Sequence, residues 1–287
     1  MRHAVLGTGG IGGLLAAALA RAGADVLLLM RQDAVDRYSG RLEIESVVLG
    51  DFQIDVPATS VLNREIDALW LATKAMHVEA AVALGPPERV DEATVVPLLN
   101  GVDHVPFLRA RYANVVPGAI RVESERVAPG RIRQSSPFLR VELAGAEPLV
   151  TELRAAGIEA RVRHDELTLL WEKLAFLAPL ALATTALDAP LGGVRNDKRY
   201  LACEAEVLAV AQAEGARIDA EALRALAAAA PDGMQSSMQK DVAAAREPEL
   251  DAIAGPILRG GDRHGIPVPA TTELARLVEA RTPAGCA

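Results

Sequence analysis

Gly7-Thr8-Gly9-Gly10-Ile11-Gly12 has the spacing G-x-G-x-x-G. That spacing cradles a pyrophosphate when it joins a strand to a helix inside a βαβ unit. The flanking residues supply the context. Residues 3–6 (H-A-V-L) read as a buried strand, residues 11–22 as a helix ended by Gly23, and residues 25–30 (D-V-L-L-L-M) as a second buried strand. Gly7 would permit the tight turn, Gly9 the approach of backbone to the pyrophosphate, and Gly12 the close packing of helix on strand. The helix N-terminus would add N–H donors and a partial positive charge. A glycine-rich turn without a ligand is the plain alternative.

The end of the second strand bears on the cofactor. A chain that takes NAD tends to place Asp or Glu there, against the ribose 2′-hydroxyl. This chain has Met30-Arg31. A guanidinium would instead pair with a 2′-phosphate through charge-assisted hydrogen bonds, so the expected cofactor is NADPH. An ordinary surface arginine is the competing reading.

A second candidate stands in W-E-K-L-A-F-L-A-P-L-A-L-A-T-T-A-L, residues 171–187, where Lys173 borders a run without charge from Leu174 to Leu187. Either the ammonium snorkels to water or it is placed there for chemistry. The run itself falls short of the roughly 20 residues that span a bilayer.

These residues need elements to position them. A chain of 287 residues, half hydrophobic and a quarter charged, suits one large or two ordinary globular domains. Buried strands are expected at residues 67–73 and 94–99, with helical segments after each, and short strands at 41–56. Residues 115–145 read as antiparallel strands, followed by a helix near 147–156 and a strand near 158–163. From about Glu166 onward strand signals disappear and Ala-, Leu- and Glu-rich helices take over, with a turn-rich break at 188–199. The expected architecture is therefore an α/β Rossmann domain over residues 1–165 and an all-helical domain over residues 166–287. Domain interfaces favour ligand sites.

The formal net charge of −8, with no basic run, argues against nucleic acid and anionic membranes but not against a small anionic ligand. Two cysteines, Cys203 and Cys286, fit a reduced cytoplasmic protein without a disulfide framework. No signal peptide is read at the N-terminus. His3, His77, His104, His164 and His264 lack ligand-like spacing, so no metal site is expected. The alanine-rich helices have room for a homodimer interface, though no pattern isolates one.

The chain resembles the ketopantoate reductase (2-dehydropantoate 2-reductase) family over nearly its whole length. Besides the glycine loop, the resemblance rests on T-K-A (73–75), L-L-N-G (98–101), W-E-K-L-A (171–175), S-S-M-Q-K-D (236–241), R-E-P-E-L-D-A-I-A-G (246–255) and H-G-I-P-V-P (264–269). It implies a Rossmann domain, a helical domain like the C-terminal one of 6-phosphogluconate dehydrogenase, and NADPH-dependent reduction of a 2-oxo acid. By the resemblance, Lys173 is the general acid that stabilises and protonates the reduced oxygen, and apolar surroundings would lower its pKa. Glu249 is the acidic residue that holds substrate near that lysine. Ser237 binds the substrate carboxylate, Asn100 serves substrate and nicotinamide, and Lys74 faces the cofactor. The plainer roles are a solvated glutamate, a helix cap, an Asn-Gly turn and a surface lysine. Asp241 and Arg246 read as structural and Trp171 as core.

The chain departs from the family pattern on the lysine's own helix face. The positions four and eight residues beyond Lys173 are Leu177 and Ala181, where the family's best-known pattern has asparagines. An apolar wall discriminates poorly for a substrate hydroxyl. Thr184 and Thr185 follow one turn on, and Pro179 is expected to interrupt the helix. Three readings follow: ketopantoate reductase; a reductase of the same family for a different, more apolar carbonyl substrate; and a non-enzymatic NADPH-sensing binding protein.

Overall fold

The computed structural model describes residues 1–282, and Cys286 lies outside the described residues. The chain divides into two compact units, one of Met1–Leu99 with His104–Glu166 and one of Asn100–Asp103 with Leu167–Ala287.

The first unit is built on three sheets. The central one contains β1 (Arg2–Leu6), β2 (Asp25–Leu29), β5 (Ala58–Thr59), β6 (Ala68–Leu71) and β7 (Thr94–Pro97) in the order β5-β2-β1-β6-β7, all parallel. Unbroken apolar runs make such strands because both faces are covered. Val5, Leu28 and Trp70 enter one core with α1 (Gly10–Arg21) and α6 (Glu147–Ala155). Ala4, Leu6, Leu29, Leu69 and Leu71 enter another with α3 (Val78–Val82), α4 (Pro87–Val90) and α5 (His104–Arg109). A further one-turn helix, α2 (Gln32–Val35), follows β2.

The segments at 41–56 and 115–145, together with the strand expected near 158–163, form two smaller sheets. One is β4-β3-β10-β9, with β3 (Arg41–Ser46), β4 (Phe52–Asp55), β9 (Ser124–Ala128) and β10 (Arg131–Gln134). The other is β12-β11-β8, with β8 (Gly118–Arg121), β11 (Arg140–Leu143) and β12 (Glu159–Val162). The antiparallel expectation holds for β9 with β10 and for β8 with β11, but β10 runs parallel to β3 and β11 parallel to β12. Local turn signals reveal hairpins and not the long connections that bring strands together in parallel.

The second unit is helical. It comprises α7 (Glu166–Leu187), α8 (Leu191–Val194), α9 (Lys198–Ala213), α10 (Ala220–Ala229), α11 (Ser237–Ala243), α12 (Leu250–His264) and α13 (Pro269–Arg281). The break expected at 188–199 contains the one-turn α8, and α9 already starts at Lys198, capped by the Asp197 carboxylate, which accepts from the Arg199 amide at 2.8 Å.

Helix α7 is continuous through Pro179. Its 22 residues make it long and apolar enough to cross a membrane by length and composition, which the shorter uncharged run did not suggest. Its apolar window is nevertheless 72% buried within the fold, and Trp171, Leu174, Ala178 and Leu182 share a core with α9, α12 and α13. That burial makes α7 a core helix.

Candidate active site

The glycine loop leaves β1 at the centre of the parallel sheet, between β2 and β6, where the strand order reverses. Ligands of open α/β sheets gather at the carboxyl ends of strands around such a point. Gly7 has φ +100°, and a Cβ there would meet the backbone of Ala72 and Thr73 at 2.7–2.8 Å. The T-K-A loop therefore lies directly against the glycine loop. A Cβ on Gly12 would meet the Gly7 carbonyl at 1.8 Å, whereas one on Gly9 would meet nothing within 4 Å. Two glycines are thus closed against protein, and the middle one faces open space.

Thr8, Gly10 and Ile11 complete the loop and are half-buried. The Gly9 carbonyl accepts from the Gly13 amide at 2.9 Å, and the first turn of α1 carries no acidic residue. The uncapped N–H groups of that turn, beside open space and without a competing carboxylate, fit a pyrophosphate.

Arg31 directly follows Met30 at the end of β2. Its side chain is 81% exposed, and its Nε lies 3.6 Å from the Asp33 carboxylate. Arg37 and, to a lesser degree, Arg31 hold the Asp33 carboxyl below its ordinary range. Lys74 is half-buried and precedes the short 3-10 turn Ala75–His77, its carbonyl accepting from His77 at 3.0 Å.

The remaining site residues all belong to the second unit, because Asn100–Asp103 packs with the helices. Gly101 has φ +80°, and a Cβ there would meet the Ala252 carbonyl on α12 at 2.3 Å. Only a glycine lets the backbone lie so close. Val102 packs on the helical core, and Asp103 pairs with Arg259 at 2.6 Å while Arg259 also reaches Asp251 at 2.7 Å. This anchorage places Asn100 Nδ2 at 3.1 Å from Glu249 Oε2, to which it donates.

Glu249 is the N-cap residue of α12, yet its side chain makes no capping bond. Pro248 lies just outside that helix. Lys173 is half-buried on α7, and Trp171 two residues before it is in the core at 2% exposure.

Ser236, not Ser237, caps α11. Its Oγ accepts from the Gln239 amide at 3.0 Å and lies 3.0 Å from Thr184 Oγ1, which itself donates to the Leu180 carbonyl at 2.7 Å. With the Thr184 proton so used, Ser236 is the donor between the two hydroxyls. Ser237 is left exposed at the first helical position. Sequence reasoning did not single out Ser236; a serine pair before a helix is the signal that could have found it.

Of the two apolar positions beyond the lysine, Leu177 is half-buried, but Ala181 is 1% exposed within the helical core. Leu177 is therefore the one that stays accessible on the lysine's face. Asp241 and Arg246 pair with each other at 2.8 Å.

A doubly wound parallel sheet with this loop, together with a helical unit carrying a lysine and an amide–carboxylate pair, defines a nicotinamide-dependent oxidoreductase acting on CH–OH groups. The sequence matches the family described as "Ketopantoate reductase PanE/ApbA" over residues 3–144 and "Ketopantoate reductase PanE/ApbA C terminal" over residues 166–282, and the chain belongs to the ketopantoate reductase family.

Among its relatives, a 2-dehydropantoate 2-reductase of Caulobacter vibrioides is 32% identical, over 96% of this chain and 98% of that one. A ketopantoate reductase structure from Ralstonia eutropha JMP134 superposes with a TM-score of 0.86 at 28% identity, covering 98% of each chain. A D-mandelate dehydrogenase in complex with NADH and anilino(oxo)acetate shares the fold, with a TM-score of 0.89 at 22% identity over 98% of each chain.

Proposed function

We propose that the protein reduces a 2-oxo acid to the 2-hydroxy acid with NADPH, ketopantoate being the first substrate to consider, in the cytoplasm. The observation that carries the reading is the Asn100–Glu249 hydrogen bond, which joins two family site residues far apart in sequence on the unit that also holds Lys173. The glycine loop and Lys74 would hold the cofactor, and Arg31 would pair with its 2′-phosphate. When bound, that cofactor supplies the hydride for the carbonyl carbon. Lys173 sits as the cation beside the carbonyl oxygen, stabilises the charge that develops there and gives its Nζ proton to it. Glu249 fixes the Asn100 amide, whose Oδ1 and second N–H then serve substrate and nicotinamide. Ser237, exposed at the start of α11, serves the substrate carboxylate.

Leu177 favours a second reading. An apolar side chain on the lysine's face suits a substrate more apolar than ketopantoate. One assay separates the two: NADPH oxidation with ketopantoate against a panel of aliphatic and aromatic 2-oxo acids. The highest kcat/KM on ketopantoate supports the first reading, and the highest on a bulkier apolar acid supports the second. No turnover on any of them, with NADPH still bound tightly, would instead mark a binding protein.

A further inference from the structure

We propose that Ser124 is a positioning residue for the dinucleotide cofactor, holding the phosphate-binding turn of α1 from outside the helix. The proposal rests on the reading that the glycine loop takes the cofactor's pyrophosphate. It adds to that loop a side chain 114 positions away in the sequence.

The first turn of α1 is poorly made to hold itself. Its residues are Gly10, Ile11, Gly12 and Gly13, and Gly9 at the N-cap has no side chain to close it. Glycine is among the weakest helix formers because its backbone has the most freedom to lose. Yet the N–H groups of this turn have to meet a pyrophosphate in one geometry. The rigidity has to come from elsewhere.

Strand β9 supplies it. The Ser124 hydroxyl donates to the Gly10 carbonyl at 2.9 Å. That carbonyl shares a planar trans peptide with the Ile11 N–H, and the two point in opposite directions. Fixing the oxygen therefore fixes the direction of the N–H. The approach is close. A Cβ on Gly10 would run into the Ser124 carbonyl and lie 2.7 Å from the Glu125 nitrogen, and one on Gly13 would meet the Ile132 side chain of β10 at 2.8 Å. The glycines that weaken the turn are the ones that let the small sheet seat against it.

Ser124 is itself held. It pairs with Gln134 on β10. Gln134 is 1% exposed, and its amide is fixed at both ends, accepting from the Ser46 hydroxyl at 2.7 Å and donating to Ser136 Oγ at 3.0 Å. Ser136 Oγ also accepts from the Glu123 amide at 3.0 Å, just before Ser124. A hydroxyl on such a support keeps its place without a ligand, so the turn is ordered before the cofactor arrives and binding is spared that cost.

The test is fluorescence titration of the full-length protein with NADPH and with NADH, with thermal melting in parallel. The two carry the same pyrophosphate, so Ser124→Ala should weaken both by the same factor, about 3- to 10-fold, the worth of one neutral hydrogen bond. Arg31→Ala should instead weaken NADPH alone. Ser124→Thr keeps the hydroxyl and should bind both dinucleotides nearly as wild type does. If Ser124→Ala binds both as tightly as wild type, whatever its Tm, the serine is only structural and the proposal is overturned. A loss confined to NADPH overturns it too, as does a loss in Ser124→Thr as large as in Ser124→Ala. A wild type that binds neither dinucleotide overturns the pyrophosphate reading of the loop, and the role of Ser124 falls with it.

Discussion

Asn100 Nδ2 donates to Glu249 Oε2 across 3.1 Å, joining residues 149 positions apart in the chain. Either partner alone has a bland reading, Asn100 as a turn former and Glu249 as a solvated helix residue. Together they fix an amide in one orientation. Asn100→Ala and Glu249→Gln are each expected to lower kcat/KM about 10- to 100-fold, the range of about 1.5–3 kcal/mol carried by a hydrogen bond to a charged group. The double variant should lose much less than the product of the two, as contacting residues do. Steady-state kinetics on the preferred 2-oxo acid checks both expectations.

Gly101→Ala tests the seating of that amide. The new Cβ would strike the Ala252 carbonyl, and the backbone would be held in the left-handed region. A stability loss of about 1–3 kcal/mol is expected, together with a fall in turnover, because Asn100 moves with its neighbour. Denaturant unfolding measures the first, and steady-state kinetics the second.

The parallel sheet and the glycine loop were legible because their signals are local: apolar runs of strand length, and glycines at fixed offsets before a helix. Leu-Leu-Asn-Gly was legible as a turn, but its reassignment to the helical unit was not. The contact between Gly101 and Ala252 is made by atoms that neither segment's pattern reveals. Ser236 and Ser237 show the same limit. Both precede a helix, and only the position of Thr184 on α7 decides which hydroxyl is buried as the cap and which stays exposed. Helix periodicity alone puts Ala181 on the face of Lys173, and packing into the helical core removes it from the accessible wall.

Substitution of Arg31 tests the proposed preference for NADPH. Its guanidinium already has a carboxylate nearby, Asp33 at 3.6 Å, in an exposed setting where such a pairing is worth little. A 2′-phosphate can therefore displace it. Arg31→Ala should cut kcat/KM with NADPH about tenfold or more and leave that with NADH nearly unchanged. A wild-type preference for NADH would remove the basis of the 2′-phosphate assignment.

Lys173→Ala should lower kcat about 10²- to 10⁴-fold, the usual share of general acid catalysis, while NADPH titration stays normal. Leu177→Asn, on the same helix face, separates specificity from chemistry. It should leave the hydride step working and shift the ratio of kcat/KM values toward substrates with a hydroxyl.

His3 ties stability to pH. Its ring is fully buried in β1, where Nδ1 accepts from Trp70 Nε1 at 3.1 Å and Nε2 faces Glu152 at 3.4 Å. Accepting at Nδ1 requires the neutral ring protonated on Nε2. Burial outweighs the nearby Glu152 carboxylate and lowers the imidazole pKa from its ordinary 6.5. Below pH 6.5 the unfolded chain therefore binds a proton that the folded protein resists, so this residue makes stability fall as pH drops through that value toward the lower folded-state pKa. Above pH 6.5 the ring is neutral in both states and contributes no slope. Urea unfolding at pH 5.5 and 7.5 should show wild type losing more stability on acidification than His3→Gln, and equal losses in the two proteins would disprove the lowered pKa.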